Sequence, residues 1–210
     1  MTKITIQKAG KEVTLYGIQH SSSLNQIEFL RKELNFTCPQ LVFVEGGFNL
    51  VTFDSEKDAI GSGEMGFVSY YCKKNNIEIM SNDPSNKECY ELISNKYGEK
   101  IAYLYFALRD YSTNSNHLKM NLEKVKTSYR EIFGRTFRAH DEYIDYFDPT
   151  KNLNLFNEIT RVLNKFRDNF MLMKLKEQLK HKNKIVIIKG DYHIRTMAKH
   201  IIEIVIDERG

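Results

Sequence analysis

Cysteine is scarce and unpatterned: Cys38, Cys72 and Cys89 are odd in number and show neither CxxC nor zinc-finger spacing. That excludes a disulfide framework and a thiolate metal site, and it favours a reducing compartment. Long apolar runs are also missing. Met1-Thr2-Lys3-Ile4-Thr5 passes straight into alternating strand-like residues, without the apolar core of a signal peptide. No segment is long enough to span a bilayer, so the expectation is a cytoplasmic protein with no membrane partner. Nor does one sign of charge dominate. The 31 Lys and Arg are interspersed with 27 Asp and Glu, and a net charge of +4 is too balanced to imply a nucleic-acid partner. The densest basic stretch, Lys174 to Lys184, falls where a helix should end, where lysines favour the macrodipole. Internal repeats, low-complexity tracts and linkers are absent as well.

What the chain does have is the material of a core. With 13 Phe, 12 Tyr and 41% hydrophobic residues over 210 positions, it can bury enough surface to fold as one domain spanning residues 1–210. Ile4 and Ile6, then Val13 and Leu15, alternate with polar residues on either side of Lys8-Ala9-Gly10-Lys11, the pattern of a hairpin. After Gly17-Ile18-Gln19-His20, any of Ser21, Ser22 or Ser23 can cap a helix carrying Ile27, Leu30 and Leu34 inward.

Leu41-Val42-Phe43-Val44 reads as a buried strand ending at Glu45-Gly46-Gly47. A helix over about 62–75 leads to a short strand at Ile77-Glu78-Ile79-Met80, which Asp83-Pro84 stops. A long helix over about 153–180 follows from Phe156, Ile159, Leu163, Phe166, Phe170 and Met173 at steps of three and four. The apolar run Ile185-Val186-Ile187-Ile188 is a further strand, followed by Gly190-Asp191-Tyr192-His193 and a last helix through Ile201.

Apolar runs alternating with helices predict an α/β fold: a mixed, mostly parallel central sheet flanked by helices, with the N-terminal hairpin at its edge. The segment over about 86–150 is rich in Tyr, Leu and Ile but poorly periodic, and is expected to form a helical insertion over one end of the sheet. Tyr103, Tyr105, Phe106 and Tyr111 in it read as core, or as the lining of a pocket should the insertion act as a lid.

Ligands bind outside the carboxyl ends of the strands in open α/β sheets. The predicted strand exits carry His20, Glu45, Asp83 and His193. Both histidines stand in a GxxH, whose glycine permits a tight turn with close backbone approach; a single GxxH is otherwise an ordinary loop pattern. Asp83 before Pro84 reads as a turn former, with metal ligation as its alternative. Glu45 and Glu64 can equally serve as cap or dipole partners, and Arg167 can sit at the edge of the apolar stripe and reach a cleft. His117, His140, His181 and His200 read as surface or packing residues.

Taken in order, these motifs resemble a family. Gly17 to His20, Val44-Glu45-Gly46, Gly63-Glu64-Met65, Asn82-Asp83-Pro84, Phe166-Arg167-Asp168-Asn169 and Gly190 to His193 follow the sequence of motifs in the TraB/TIKI-like superfamily. That group includes TraB/PrgY, GumN, ChaN-like and erythromycin-esterase-like proteins. The resemblance implies a hydrolase cleaving an ester or peptide bond of a small molecule or peptide. In it, His20 and His193 would be ligands or acid/base groups, Glu45 and Glu64 the carboxylates, and Arg167 an anion or oxyanion clamp.

Two imidazoles and two carboxylates suit Zn²⁺, Mn²⁺ or Co²⁺. Such a metal would acidify a bound water and polarise a carbonyl. Without metal, a His–Glu pair can act as general base, with Arg167 stabilising negative charge. The alternative is a non-catalytic binding or regulatory protein that holds a small ligand, peptide or haem in the same cleft.

Overall fold

A computed structural model describes residues 2–19, 23–46, 51–113, 122–136 and 154–207. Their contacts divide the chain into two compact units, residues 1–83 with 167–210, and residues 84–166. The expected single domain with an insertion over about 86–150 is thereby redrawn, and the second unit takes in the first half of the long helix as well.

The first unit is built on a five-stranded sheet. Strands β1 (Thr2–Lys8) and β2 (Lys11–Ile18) form an antiparallel hairpin. Its two-residue turn places Ala9 and Gly10 both at positive φ, 50° and 80°, the geometry that matches the twist of the flanking strands. Strands β3 (Leu41–Val44), β4 (Glu78–Ser81) and β5 (Lys184–Gly190) complete the sheet in the order β1-β2-β5-β3-β4, with every pair after the hairpin parallel. The fold is thus mixed α/β with a mostly parallel sheet.

The reason lies in the strands themselves. From Ile185 to Ile188 no residue alternates to a polar one, which a strand tolerates only when helices cover both faces. One face receives α1 (Leu24–Thr37) and α3 (Gly63–Lys74), the latter preceded by the short α2 (Glu56–Gly61). Ile27, Leu30, Leu34, Met65, Phe67 and Val68 there pack on Val42, Val44, Val186 and Ile188. The other face receives the C-terminal half of the long helix α7 (Leu155–Leu179) and α8 (Asp191–Asp207). Met171, Leu175, Leu179, Ile194, Met197 and Ile201 pack on Leu15, Phe43, Ile185 and Ile187.

The second unit is helical: α4 (Asn86–Tyr97), α5 (Glu99–Thr113), α6 (Leu122–Phe133) and the first half of α7. Ser85 and Glu88 form a capping box at the start of α4. Cys89, Ile93, Leu104, Tyr105, Tyr129, Phe156, Ile159 and Leu163 make its core, with Tyr103 and Phe106 packed against it. The side chain of Tyr111 lies outside the described residues. Among the described residues no helix is long and apolar enough to cross a membrane.

Two readings of the glycines need correction. Neither Gly17 nor Gly190 has positive φ, and both are strand residues. Gly17 is needed for close approach: a Cβ there would stand 2.4 Å from Asp191 Oδ1 and 3.0 Å from Asp191 Cα. We expect Gly17→Ala to cost about 1–3 kcal/mol through overpacking. Gly61→Ala, with nothing within 4 Å of the added carbon, should be neutral or stabilising. Urea midpoints of the two variants check the contrast.

Candidate functional site

The carboxyl ends of β2, β5, β3 and β4 lie side by side, so the residues that follow them share one rim. Helices leave β3 and β5 toward opposite faces of the sheet, which opens a crevice between these two neighbours. Five charged side chains and a histidine gather there from α7, α8 and three strand exits.

Asp83, just past β4 with its side chain only 6% exposed, is the hub. Arg167 grips it in a two-pronged pair, Nε to Oδ1 at 3.0 Å and Nη2 to Oδ2 at 2.8 Å. Lys189 donates to Oδ1 at 2.9 Å, and the Gly46 amide to Oδ2 at 2.7 Å. Glu45 takes the remaining reach of Arg167, from Nη2 to Oε1 at 2.9 Å, and accepts the Gly190 amide on Oε2 at 3.0 Å. Two cations thus face two carboxylates, while the Gly46 amide ties the exit of β3 to that of β4 and the Gly190 amide ties the end of β5 to the exit of β3.

Burial by itself raises the Asp83 carboxyl. The Arg167 hydrogen bonds, the charges of Lys189 and Arg167 and the Gly46 amide outweigh it and hold the group below its ordinary value. Burial likewise works against the Arg167 charge, and the Asp83 and Glu45 carboxylates more than reverse this, so the guanidinium stays ionised.

Beside this quartet stands His193, 12% exposed, whose Nδ1 lies 3.0 Å from Asp168 Oδ1. Asp168 follows Arg167 on α7, so the helix that supplies the clamp also orients the imidazole. His193 falls in the first turn of α8, which begins at Asp191, rather than in the loop that a GxxH turn suggests. With Nδ1 held by the carboxylate, Nε2 is the nitrogen open to chemistry. Burial pushes the Cys72 thiol up to about 12, which makes it an inert core residue.

Of the expected site residues, Glu45 and Arg167 are in direct contact, and His193 pairs with Asp168, the residue that follows Arg167 on α7. Glu64 opens α3 and is 4% exposed. His20 lies outside the described residues, as do His117 and His140, while His181 and His200 are exposed.

Asp83 is far more than the turn former its Asp-Pro context suggests. Lys189 and Asp168 went unread as site residues. Their signals were a lysine closing a wholly apolar strand and an acid adjoining Arg167. Among the described residues no three His, Cys, Asp or Glu side chains converge as a metal set. Both oxygens of Glu45 already hold donors, Arg167 and the Gly190 amide, so Glu45 would have to give up one of them to take a metal.

Compared with known proteins, the chain matches no family model, no curated protein and no solved structure.

Lys189 is fully buried, so removing its counter-charge should be severe. Asp83→Asn is expected to destabilise by about 3–5 kcal/mol, the cost of an uncompensated buried charge. Adding Lys189→Met to Asp83→Asn should recover part of the loss, because it removes the ammonium left without its counter-charge, while Arg167 and the Gly46 amide still lack the carboxylate. Because the folded Asp83 value is depressed, its contribution is full above its ordinary value of 3.8 and is lost as pH falls through the lower folded one. The gap between wild type and Asp83→Asn should therefore narrow below about pH 4, which urea denaturation at stepped pH will measure.

Proposed function

We propose that this chain is a hydrolase of ester or amide bonds whose general base is His193. The observation that carries the reading is the His193–Asp168 pair at the carboxyl end of the sheet, with Nε2 holding no hydrogen bond among the described residues. An imidazole held this way by a carboxylate has a fixed tautomer and orientation, the arrangement that general-base catalysis requires. Nε2 takes a proton from water as the water oxygen adds to the substrate carbonyl carbon. The same nitrogen then returns the proton to the departing alcohol or amine.

Arg167 is the group suited to the developing oxyanion, because Nε and Nη2 are anchored on Asp83 and Glu45 while Nη1 carries no hydrogen bond among the described residues. Lys189 and Asp83 hold that guanidinium in place. His20 and Glu64 enter the proposal through the TraB/TIKI-like resemblance, as further acid/base or carboxylate groups. So does a small-molecule or peptide substrate, and so does any Zn²⁺, Mn²⁺ or Co²⁺ bound by His20, Glu45, Glu64 and His193; a cytoplasmic setting is proposed on the sparse, unpatterned cysteines instead.

A second reading, a non-catalytic receptor for a small ligand, peptide or haem, is favoured by one feature: the quartet is charge-balanced without any ligand. Turnover separates the two. Against a panel of nitrophenyl esters and peptide anilides, His193→Ala should lower kcat/KM by about 10²–10⁴-fold. Asp168→Asn should follow it, with both variants folded by circular dichroism. Activity untouched in His193→Ala, or binding of haem or peptide without turnover in the wild type, would overturn the enzymatic reading. Metal analysis and a chelator arm, read on the same substrates, test the metal independently.

A further inference from the structure

In the order β1-β2-β5-β3-β4 the sheet has two edges, and they are built differently. β4 is four residues long and is soon followed by Pro84, short and proline-flanked as protected edges are. β1 runs for seven residues without a proline and pairs with β2 in unbroken register from Thr2 to Lys8, so no bulge twists it away. Its lysines stand near the ends and are drawn back onto their own chain, Lys3 to Glu33 at 2.5 Å and Lys8 to the Ile206 carbonyl at 2.6 Å. The stretch from Ile4 to Gln7 carries no charge.

The turn decides which backbone groups face outward. A two-residue hairpin closes on a hydrogen-bonded pair, here Lys8 and Lys11. Alternation along the ladder then commits the amides and carbonyls of Ile6, Ile4 and Thr2 to β2, and aims those of Lys3, Thr5 and Gln7 at the open edge. Apolar side chains flank that edge on both faces. On the α8 face Ile4 is only partly buried, and Ile202 and Ile206 are 37% and 42% exposed. At 100° per residue these two lie on the far side of α8 from His193, which reaches α7, so they stand toward β1, to which Lys8 ties the Ile206 backbone. On the α1 face Phe36, 83% exposed, lies beside Lys3, whose ammonium is 5.9 Å from the ring centre.

We infer that β1 pairs with β1 of a second copy of this chain, antiparallel about a two-fold axis at Thr5, and so joins two sheets into one. The strand is complementary to itself in that register. Thr5 meets the partner's Thr5 and Lys3 the partner's Gln7, which sets outward-facing backbone against outward-facing backbone along the strand. Ile4 meets the partner's Ile6 and Thr2 the partner's Lys8, so apolar side chains adjoin on the α8 face and no lysine faces a lysine. Ile202 and Ile206 of each copy then flank the seam, as an isologous contact requires. An unrelated strand would take up the same backbone groups, but the two-fold match of polar and apolar positions is a property of this strand with itself.

The test is analytical ultracentrifugation of the full chain over a concentration series, which should show a monomer–dimer equilibrium. Thr5→Lys, which sets two ammonium groups against each other at the axis, and Ile202→Glu/Ile206→Glu should each raise the dimer dissociation constant by about tenfold or more. Met173→Glu, which alters an exposed apolar residue of α7, should leave it unchanged. Cross-linking reads the register in a Cys38→Ser background, since Cys72 and Cys89 are buried. Thr5→Cys should form an interchain disulfide under mild oxidation, because the pair at the axis holds its α-carbons about 5.5 Å apart. Gln7→Cys alone should stay reduced, and should cross-link when mixed with Lys3→Cys. Thermal melts identify any variant that fails to fold, and the Thr5→Cys disulfide, a small change at an exposed position, keeps the test decisive. A chain that is monomeric at every concentration overturns the inference, as does a dimer in which Thr5→Cys stays reduced. Equal weakening by Met173→Glu overturns it too, and so does a β1 edge that pairs with another protein but never with itself.

Discussion

A lysine that closes a fully buried strand sets the terms for the rest of this structure. Lys189 ends the apolar run of β5 with no solvent exposure, and an ammonium in that position is tolerable only beside an opposite charge. Asp83 supplies it, yet Asp83 is itself out of water and has a second oxygen to satisfy. Arg167 and the Gly46 amide meet that need, and the surplus positive charge of Arg167 draws in Glu45. Each partner is called for by the desolvation of the one before, until the set is neutral and its acceptors are filled. The outcome is a rigid platform at the carboxyl ends of β3, β4 and β5, made by groups whose removal the core could not tolerate.

The platform explains why His193 can be held so closely. Arg167 is fixed by three hydrogen bonds to carboxylates, so the next residue on the same helix, Asp168, has little freedom of its own. The imidazole that pairs with it inherits that order. On the neighbouring strand, the bare α-carbon of Gly17 lets Asp191 and the start of α8 settle against β2, which sets where the first turn of that helix begins. Structural and chemical demands are therefore met by the same few residues.

Much of the architecture was legible in the sequence, because the strands announce themselves physically. Leu41 to Val44 and Ile185 to Ile188 are uninterrupted apolar runs of strand length, and the alternation about Ala9-Gly10 fixes a hairpin. The second unit was harder to read for a reason visible in α7. Phe156, Ile159 and Leu163 belong to one core and Met171, Leu175 and Leu179 to the other, and at 100° per residue the second set does not continue the stripe of the first. The stripe read from the sequence carried on through Phe166 and Phe170 to Met173, which is 57% exposed, so the change of face at the boundary was missed. In the site, Glu45, Arg167 and His193 were recoverable from their strand-end and motif positions. Asp83 was not, since an Asp-Pro pair has a sufficient local explanation as a turn, and its partner Arg167 is 84 positions away.

Asp83 and Arg167 are also the two residues at which the chain departs for, and comes back from, the helical unit of residues 84–166. Their double hydrogen bond is a clasp across the neck of that excursion. It pins the two ends together within the sheet-bearing unit, whatever the length of polypeptide looped out between them. Since loop-closure entropy grows only logarithmically with length, such a clasp makes the intervening segment exchangeable at small cost. Lineages could lengthen, trim or replace it while the sheet and its charged platform stayed as they are.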